Sequence, residues 1–187
     1  MIKCVIKLIS IFFNFFMLVS SMTELFVKRL KAELREAKIN NKKREGRIFL
    51  LSPDPDNLLI WYGFIIGMDG DYTGGQYLVE FKLKETYPLD SPVVKFITPN
   101  GRFQCDVNIC TTATHYHNNE NNAAWNLMAQ MQGIISMMPY FEPGIGGINA
   151  SSEEKKCLAI ESVSYNGLNL KNKKIIDTCF NQWLTME

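Results

Sequence analysis

The chain has 187 residues, 47% hydrophobic and 12% aromatic, which is enough for one core of ordinary size and too few for two. Twenty Lys and Arg against 19 Asp and Glu leave a net charge of +1, so no basic field marks a nucleic-acid partner. Five cysteines (Cys4, Cys105, Cys110, Cys157 and Cys179) at unrelated spacings do not form a secreted disulfide framework; they suit reduced thiols in a cytosol-facing protein, where a nucleophilic cysteine can persist.

Residues 1–21 differ in kind from the rest of the chain. Lys3 and Lys7 accompany a run between Leu8 and Ser20 that is apolar except for Ser10 and Asn14. The run is shorter than the roughly 20 apolar residues of a spanning helix and close to a signal-peptide core. Three readings stand: a cleaved signal peptide, which the Asn149-Ala150-Ser151 glycosylation triplet suits and the cysteine usage opposes; an N-terminal anchor with the domain left in the cytosol; and an extension upstream of a start at Met22. The division is therefore a hydrophobic segment over 1–21 and one domain over 22–187.

From Thr23 to Lys38 the spacing predicts an amphipathic helix, with Phe26, Leu30, Leu34 and Ala37 on one face and Lys28, Arg29, Lys31, Arg35 and Lys38 elsewhere. Its basic side is either a solvated face or a dock for an acidic partner. Four runs rich in branched and aromatic residues come next, Arg47 to Leu51, Leu58 to Ile66, Tyr77 to Leu83 and Val93 to Phe96, separated by turn-formers as in an antiparallel meander. After Ile97 regular patterning stops for about 25 residues, longer than a compact domain leaves without a function. A helix is then expected from Ala124 to Met138, with Leu127, Met131, Ile134 and Met138 on one stripe and Pro139 ending it. Ser151 with Glu154 forms a possible capping box for another helix, and Lys173 to Leu184 reads as the last. The layout is α+β, with a helix, a four-stranded meander, an active-site loop and further helices gathered on one side of the sheet.

The stretch Thr98-Pro99-Asn100-Gly101-Arg102-Phe103 followed by Cys110 resembles the active-site segment of ubiquitin-conjugating enzymes, in particular the branch tethered to the endoplasmic reticulum membrane, whose cysteine follows the asparagine by ten residues. Tyr72-Thr73-Gly74-Gly75-Gln76-Tyr77 resembles the family's Tyr-x-Gly-Gly hairpin, and Tyr87-Pro88-Leu89-Asp90-Ser91-Pro92 its proline-rich turn. Trp125 and Gly133 to Met138 fall where that branch opens and closes its central helix. The sequence departs from the branch at Ser91, Asn121 and Ala123, and it ends at Glu187 without the branch's hydrophobic tail, so residues 1–21 are expected to make any membrane contact.

The resemblance implies an acyltransferase that carries ubiquitin as a thioester on Cys110 and passes it to a substrate lysine. It implies no cofactor of its own, ATP being used by the upstream activating enzyme. A thiolate in an exposed loop suits thioester exchange. Asn100 would donate to a developing oxyanion or hold the loop in shape, two roles the sequence leaves open. His117 matches a histidine of the branch and stands as a candidate base; His115 and His117 otherwise read as surface histidines. Glu142 is a guess for an acidic gate. The resemblance puts the activating enzyme on the first helix through Lys28, Arg29, Lys31 and Arg35, and a ligase on Leu89, Leu127 and Met128, although Leu127 and Met128 also read as core. It places the protein in the cytoplasm, at the cytosolic face of the endoplasmic reticulum membrane. Two other classes stay open: a catalytically silent ubiquitin-binding scaffold, and a zinc module built on Cys105, Cys110, His115 and His117, whose spacing is unlike established zinc patterns. No metal site is expected. Cys105, Cys157 and Cys179 read as small buried hydrophobes.

Overall fold

The computed structural model describes residues 24–43, 45–46, 48–109, 125–141 and 144–185. Residues 24–41 form α1, three residues longer than the apolar spacing indicates. The extra turn is held by amide side chains. Asn40 Nδ2 donates to Phe49 O (2.8 Å), Asn41 Nδ2 donates to Leu51 O (2.8 Å), and Leu51 N donates to Asn41 Oδ1 (3.0 Å). These bonds satisfy the outer backbone groups of an edge strand, which otherwise face solvent or another chain.

The four strands β1 (Phe49–Pro53), β2 (Ile60–Ile65), β3 (Tyr77–Lys82) and β4 (Val93–Phe96) pair antiparallel in chain order. The meander is as expected, with shifted ends. β1 starts at Phe49 and runs through Pro53, which an edge strand tolerates. β2 starts at Ile60 because Asp54 Oδ1 accepts from Asp56 N (2.8 Å) and Asn57 N (3.1 Å), closing a turn.

Helices cover both faces of the sheet, which corrects the expectation of one side. Phe49, Leu51, Trp61, Ile65, Tyr77, Val79, Phe81, Val94 and Phe96 pack with α1 and with the stripe Leu127, Met131, Ile134 and Met138 of α2 (Leu127–Met137) and its C-cap. Contact with α2 is close at Gly63, where a Cβ would meet Met131 Cε at 2.6 Å. On the other face Leu50, Tyr62, Phe64 and Leu78 receive Ile175, Cys179 and Phe180, with Phe64 and Phe180 stacked at 5.5 Å. The signal for two covered faces is the unbroken apolar run of β2, which lacks the polar alternation of a half-solvated strand.

α2 starts at Leu127, later than Ala124, because Asn126 caps it by accepting from Ala129 N (2.7 Å). α3 (Ser152–Leu168) opens with the expected capping box: Ser151 Oγ accepts from Glu154 N (3.2 Å), and Glu154 Oε2 accepts from Ser151 N (2.8 Å). The last helix starts at Leu170 and not at Lys173, since Asn169 Oδ1 accepts from Lys171 N (3.0 Å) and Asn172 N (3.1 Å). It runs as α4 (Leu170–Ile175), a π turn (Ile176–Phe180) and α5 (Asn181–Leu184). The π turn holds the buried pair Cys179 and Phe180. Removing the ring in Phe180→Ala is expected to cost about 3–5 kcal/mol in urea unfolding, as for other buried aromatics; a loss below about 1 kcal/mol would show that this face is not a true core.

Candidate active site

Between β4 and the last described residue before the gap, the chain makes no regular element, yet its backbone is fixed from several sides. Asn100 is the centre. Its side chain is 1% exposed, with Oδ1 accepting from Arg102 N (2.9 Å) and Phe103 N (2.8 Å), and Nδ2 donating to Thr98 O (3.0 Å). An asparagine oxygen that receives two forward amides builds a turn from within. Gly101 sits in that turn at φ +74°, where a Cβ would also press within 3.0 Å of Ala150 Cβ and Lys155 Cγ. Phe103 then stacks on Phe96 with ring centroids 4.9 Å apart.

Backbone straps continue the segment. Asp106 N donates to Phe96 O (2.8 Å) and Ile109 N to Val94 O (2.9 Å), covering the free edge of β4. On the opposite side Gln104 N donates to Gly146 O (2.8 Å), Ile148 N to Arg102 O (2.8 Å) and Ala150 N to Gly101 O (3.2 Å). Lys95 bridges Glu80 (3.2 Å) and Asp106 (3.7 Å) across the same edge. Ile109, fully buried, ends the described segment, and Cys110 is the next residue in the chain.

The loop is also tied to the helices. Arg102, 1% exposed, donates from Nε to Met137 O (3.2 Å) and Tyr140 O (2.7 Å) and lies over the Phe103 ring at 4.4 Å. A cation at the C-terminal carbonyls of α2 meets the negative end of its dipole. Tyr72 OH donates to Met138 O (2.7 Å), and burial pushes its pKa up to about 12, so it stays a neutral donor. At the loop's start Thr98 Oγ1 accepts from Leu78 N (3.1 Å) and donates to Asn166 Oδ1 (2.7 Å), which also accepts from Asn172 Nδ2 (2.9 Å). Sequence patterning marks neither Tyr72 nor Asn166 for these roles; the buried face of α3 is Lys155, Ala159, Ser162 and Asn166, so no apolar stripe singles Asn166 out.

The docking residues divide. Lys28, Lys31 and Arg35 are exposed on α1, as is Leu89 in the turn after β3. Arg29 is turned inward: its side chain is 18% exposed, Nε donates to Glu33 (2.7 Å) and Nη2 donates to Trp125 O (2.7 Å). Glu33 is buried, accepts from Tyr87 OH and Leu127 N (2.9 Å), and so holds a carboxylate at the N-terminus of α2, the favourable end for negative charge. Arg29 compensates that buried charge and is not part of the exposed basic set. Leu127 is fully buried and belongs to the core, away from the exposed surface; Met128 is half-buried against the core, and the exposed residue beside it is Trp125.

Cys110, His115, His117 and Glu142 lie outside the described residues, as do Asn121 and Ala123. Of the zinc arrangement only Cys105 is described, and among the described residues no three potential ligands cluster. A cavity of about 370 Å3 adjoins the loop, lined in part by Asn100, Gly101, Phe103, Cys105, Cys157 and Leu158. Cys179 is buried as expected and Cys105 is half-buried, but Cys157 of α3 is exposed at the rim of this cavity, a correction to its reading as a buried hydrophobe. Burial, and then the charge of Asp106, push the Cys105 thiol up to about 11. At pH 8 its thiolate fraction is then about one in a thousand. N-ethylmaleimide is expected to label Cys157 at least about tenfold faster than Cys105 in peptide mass spectrometry; equal rates would contradict the burial and charge assigned to Cys105.

The sequence matches the family "Ubiquitin-conjugating enzyme" over residues 29–143, which includes the whole braced loop. It is 34% identical over 125 residues to Ubiquitin-conjugating enzyme E2 6 of Candida glabrata, covering 66% of this chain and 51% of that protein, about half its length. It is 31% identical over 144 residues to Ubiquitin-conjugating enzyme E2 J2-like of Dictyostelium discoideum, covering 76% of this chain and 82% of that protein. Among solved structures, the ubiquitin-conjugating enzyme Pex4p of H. polymorpha, crystallised with the soluble domain of Pex22p, shares the fold with a TM-score of 0.55 at 21% identity, covering 75% of this chain and 92% of that one. The α+β fold, the asparagine-braced loop ahead of Cys110 and the match over 29–143 together establish that the chain belongs to the ubiquitin-conjugating enzyme family.

Proposed function

We propose that this chain accepts ubiquitin from an activating enzyme as a thioester on Cys110 and transfers it to a substrate lysine, with a ligase bringing the two together. In the first step the Cys110 thiolate attacks the carbonyl carbon of the incoming thioester, a carbon–sulfur bond forms, and the donor's sulfur leaves as a thiolate. In the second a neutral lysine amine attacks the same carbon, an isopeptide bond forms, Cys110 departs, and the amine's proton passes to a base, for which His117 is the candidate. Neither step changes oxidation state, and neither consumes ATP on this chain. What the protein contributes is orientation, because the thioester already carries the required energy.

The observation that supports this reading is the Asn100 turn. It fixes a segment that runs strapped to both flanks as far as Ile109, the residue before Cys110. A side-chain amide has two N–H groups; Thr98 O takes one, which leaves the other for an oxyanion that forms nearby. The exposed Lys28, Lys31 and Arg35 suit the activating enzyme, and Leu89 with Trp125 suits a ligase. Residues 22–187 would be the catalytic domain. We place its site of action at the cytosolic face of the endoplasmic reticulum membrane, on the likeness of Thr98 to Phe103 to that branch and on the apolar run from Leu8 to Ser20; no helix among the described residues is long and apolar enough to cross a membrane.

Incubating the chain with activating enzyme, ubiquitin and ATP is expected to give an adduct that reductant removes, and Cys110→Ser is expected to give a reductant-resistant ester or nothing. No adduct on the unaltered chain would overturn the proposal. Asn100→Ala leaves two buried amides without an acceptor and is expected to cost about 1–3 kcal/mol of stability. Asn100→Asp keeps that acceptor but loses the bond to Thr98 O and sets a buried carboxylate oxygen against that carbonyl, so it is expected to lose stability as well and, at a temperature where it is still folded, to form the thioester while discharging to lysine about a hundredfold more slowly. Discharge at the unaltered rate by Asn100→Asp would restrict Asn100 to shaping the loop.

A further inference from the structure

The corner between α3 and α4 carries an unusual exposure. Leu168, the last residue of α3, is 83% exposed, and Leu170, the first of α4, is 85% exposed. The residue between them, Asn169, is extended and uses its side chain to cap α4, so the corner is locked with both leucines outside. Tyr165, one turn back on α3, and Ile160, two turns back, are also exposed. Three exposed lysines come after the corner: Lys171, Lys173 and Lys174. Leu170, Lys173 and Lys174 share one helix face by their i, i+3 and i+4 spacing. No acidic residue lies between Glu161 and Asp177, and each of these sits seven residues from its leucine, about 10 Å along a helix.

We propose that this corner docks on an anionic lipid bilayer. The two leucines and Tyr165 would enter the headgroup and acyl boundary while the lysines remain at the level of the phosphates. A bilayer offers an apolar layer and negative charge at that separation, and an exposed tip of leucines with basic flanks complements both. Two features favour lipid over a partner protein. The leucines protrude from a helix corner and do not line a groove, and long lysine side chains can reach from an inserted face back to the headgroups. Peripheral docking needs no spanning helix. Each buried leucine would strengthen binding about tenfold or more and each lysine about fivefold. The contact is distinct from the thioester chemistry of Cys110, and either can fail without the other.

Because residues 1–21 carry their own apolar run, total vesicle binding does not isolate the corner, and a depth-sensitive probe at the site does. The full chain bearing Leu168→Trp, and separately Leu58→Trp at an exposed turn between β1 and β2, would be mixed with vesicles whose acyl chains are brominated, made of phosphatidylcholine alone or with phosphatidylserine. The native tryptophans are common to both variants and cancel in the comparison. Quenching of the Leu168→Trp indole with phosphatidylserine present, well beyond that of the Leu58→Trp indole, is expected. Adding Lys171→Glu, Lys173→Glu and Lys174→Glu should remove it. No excess quenching at position 168, or quenching unaffected by the charge reversals, would overturn the proposal. So would a lipid-free dimer that Leu168→Ser with Leu170→Ser dissociates, which would assign the corner to a second copy.

Discussion

The side chain of Asn100 is the contact on which the site depends. One buried amide accepts two backbone N–H groups ahead of it and donates to a carbonyl behind it, so a stretch with no regular hydrogen-bond ladder acquires fixed geometry at a single residue. Each bond is modest in net stability, but a buried amide left without a partner is costly, and this asymmetry makes the arrangement effectively all-or-none. From that turn the segment can reach β4 on one side and residues 146–150 on the other, and both straps presuppose it.

The same logic holds α2 at both ends. Glu33 of α1 meets its N-terminus, while Arg102 of the loop and Tyr72 from the turn before β3 meet the carbonyls at its C-terminus. The signs follow the helix dipole, and the partners come from three separate parts of the chain. Their joint effect is to fix the braced loop relative to α1 and to the turn bearing Leu89. The surfaces proposed for the activating enzyme and the ligase are thereby held in register with the loop as far as Ile109.

Much of this is legible in the sequence where one physical rule acts alone. The apolar stripe of α2, the Ser151–Glu154 box and β4 are local patterns, and the structure reproduces them. Asn100 is legible as a site through its place in a motif, but its turn is not, because its partners are backbone amides that any sequence supplies. Other misses share a cause: polar side chains whose hydrogen bonds the apolar pattern does not reveal, some across the fold and some within one turn. Asn41 extends α1 by bonding β1, Asn126 and Asn169 move helix starts, and Arg29 looks like a surface cation until Glu33 is found buried beside it. Leu127 has two readings, and burial against the sheet decides for the core. The second apolar face is readable in β2, yet only the packed helix over it reveals what covers it.

Native-state amide hydrogen exchange at Arg102 and Phe103 tests the brace most directly. Both amides are expected to exchange as slowly as those in the middle of β3, opening only with the whole domain, and in Asn100→Ala to open locally while β3 stays protected. Exchange of both in the unaltered protein as fast as an exposed amide such as that of Glu45 would contradict the claim that Asn100 holds the loop.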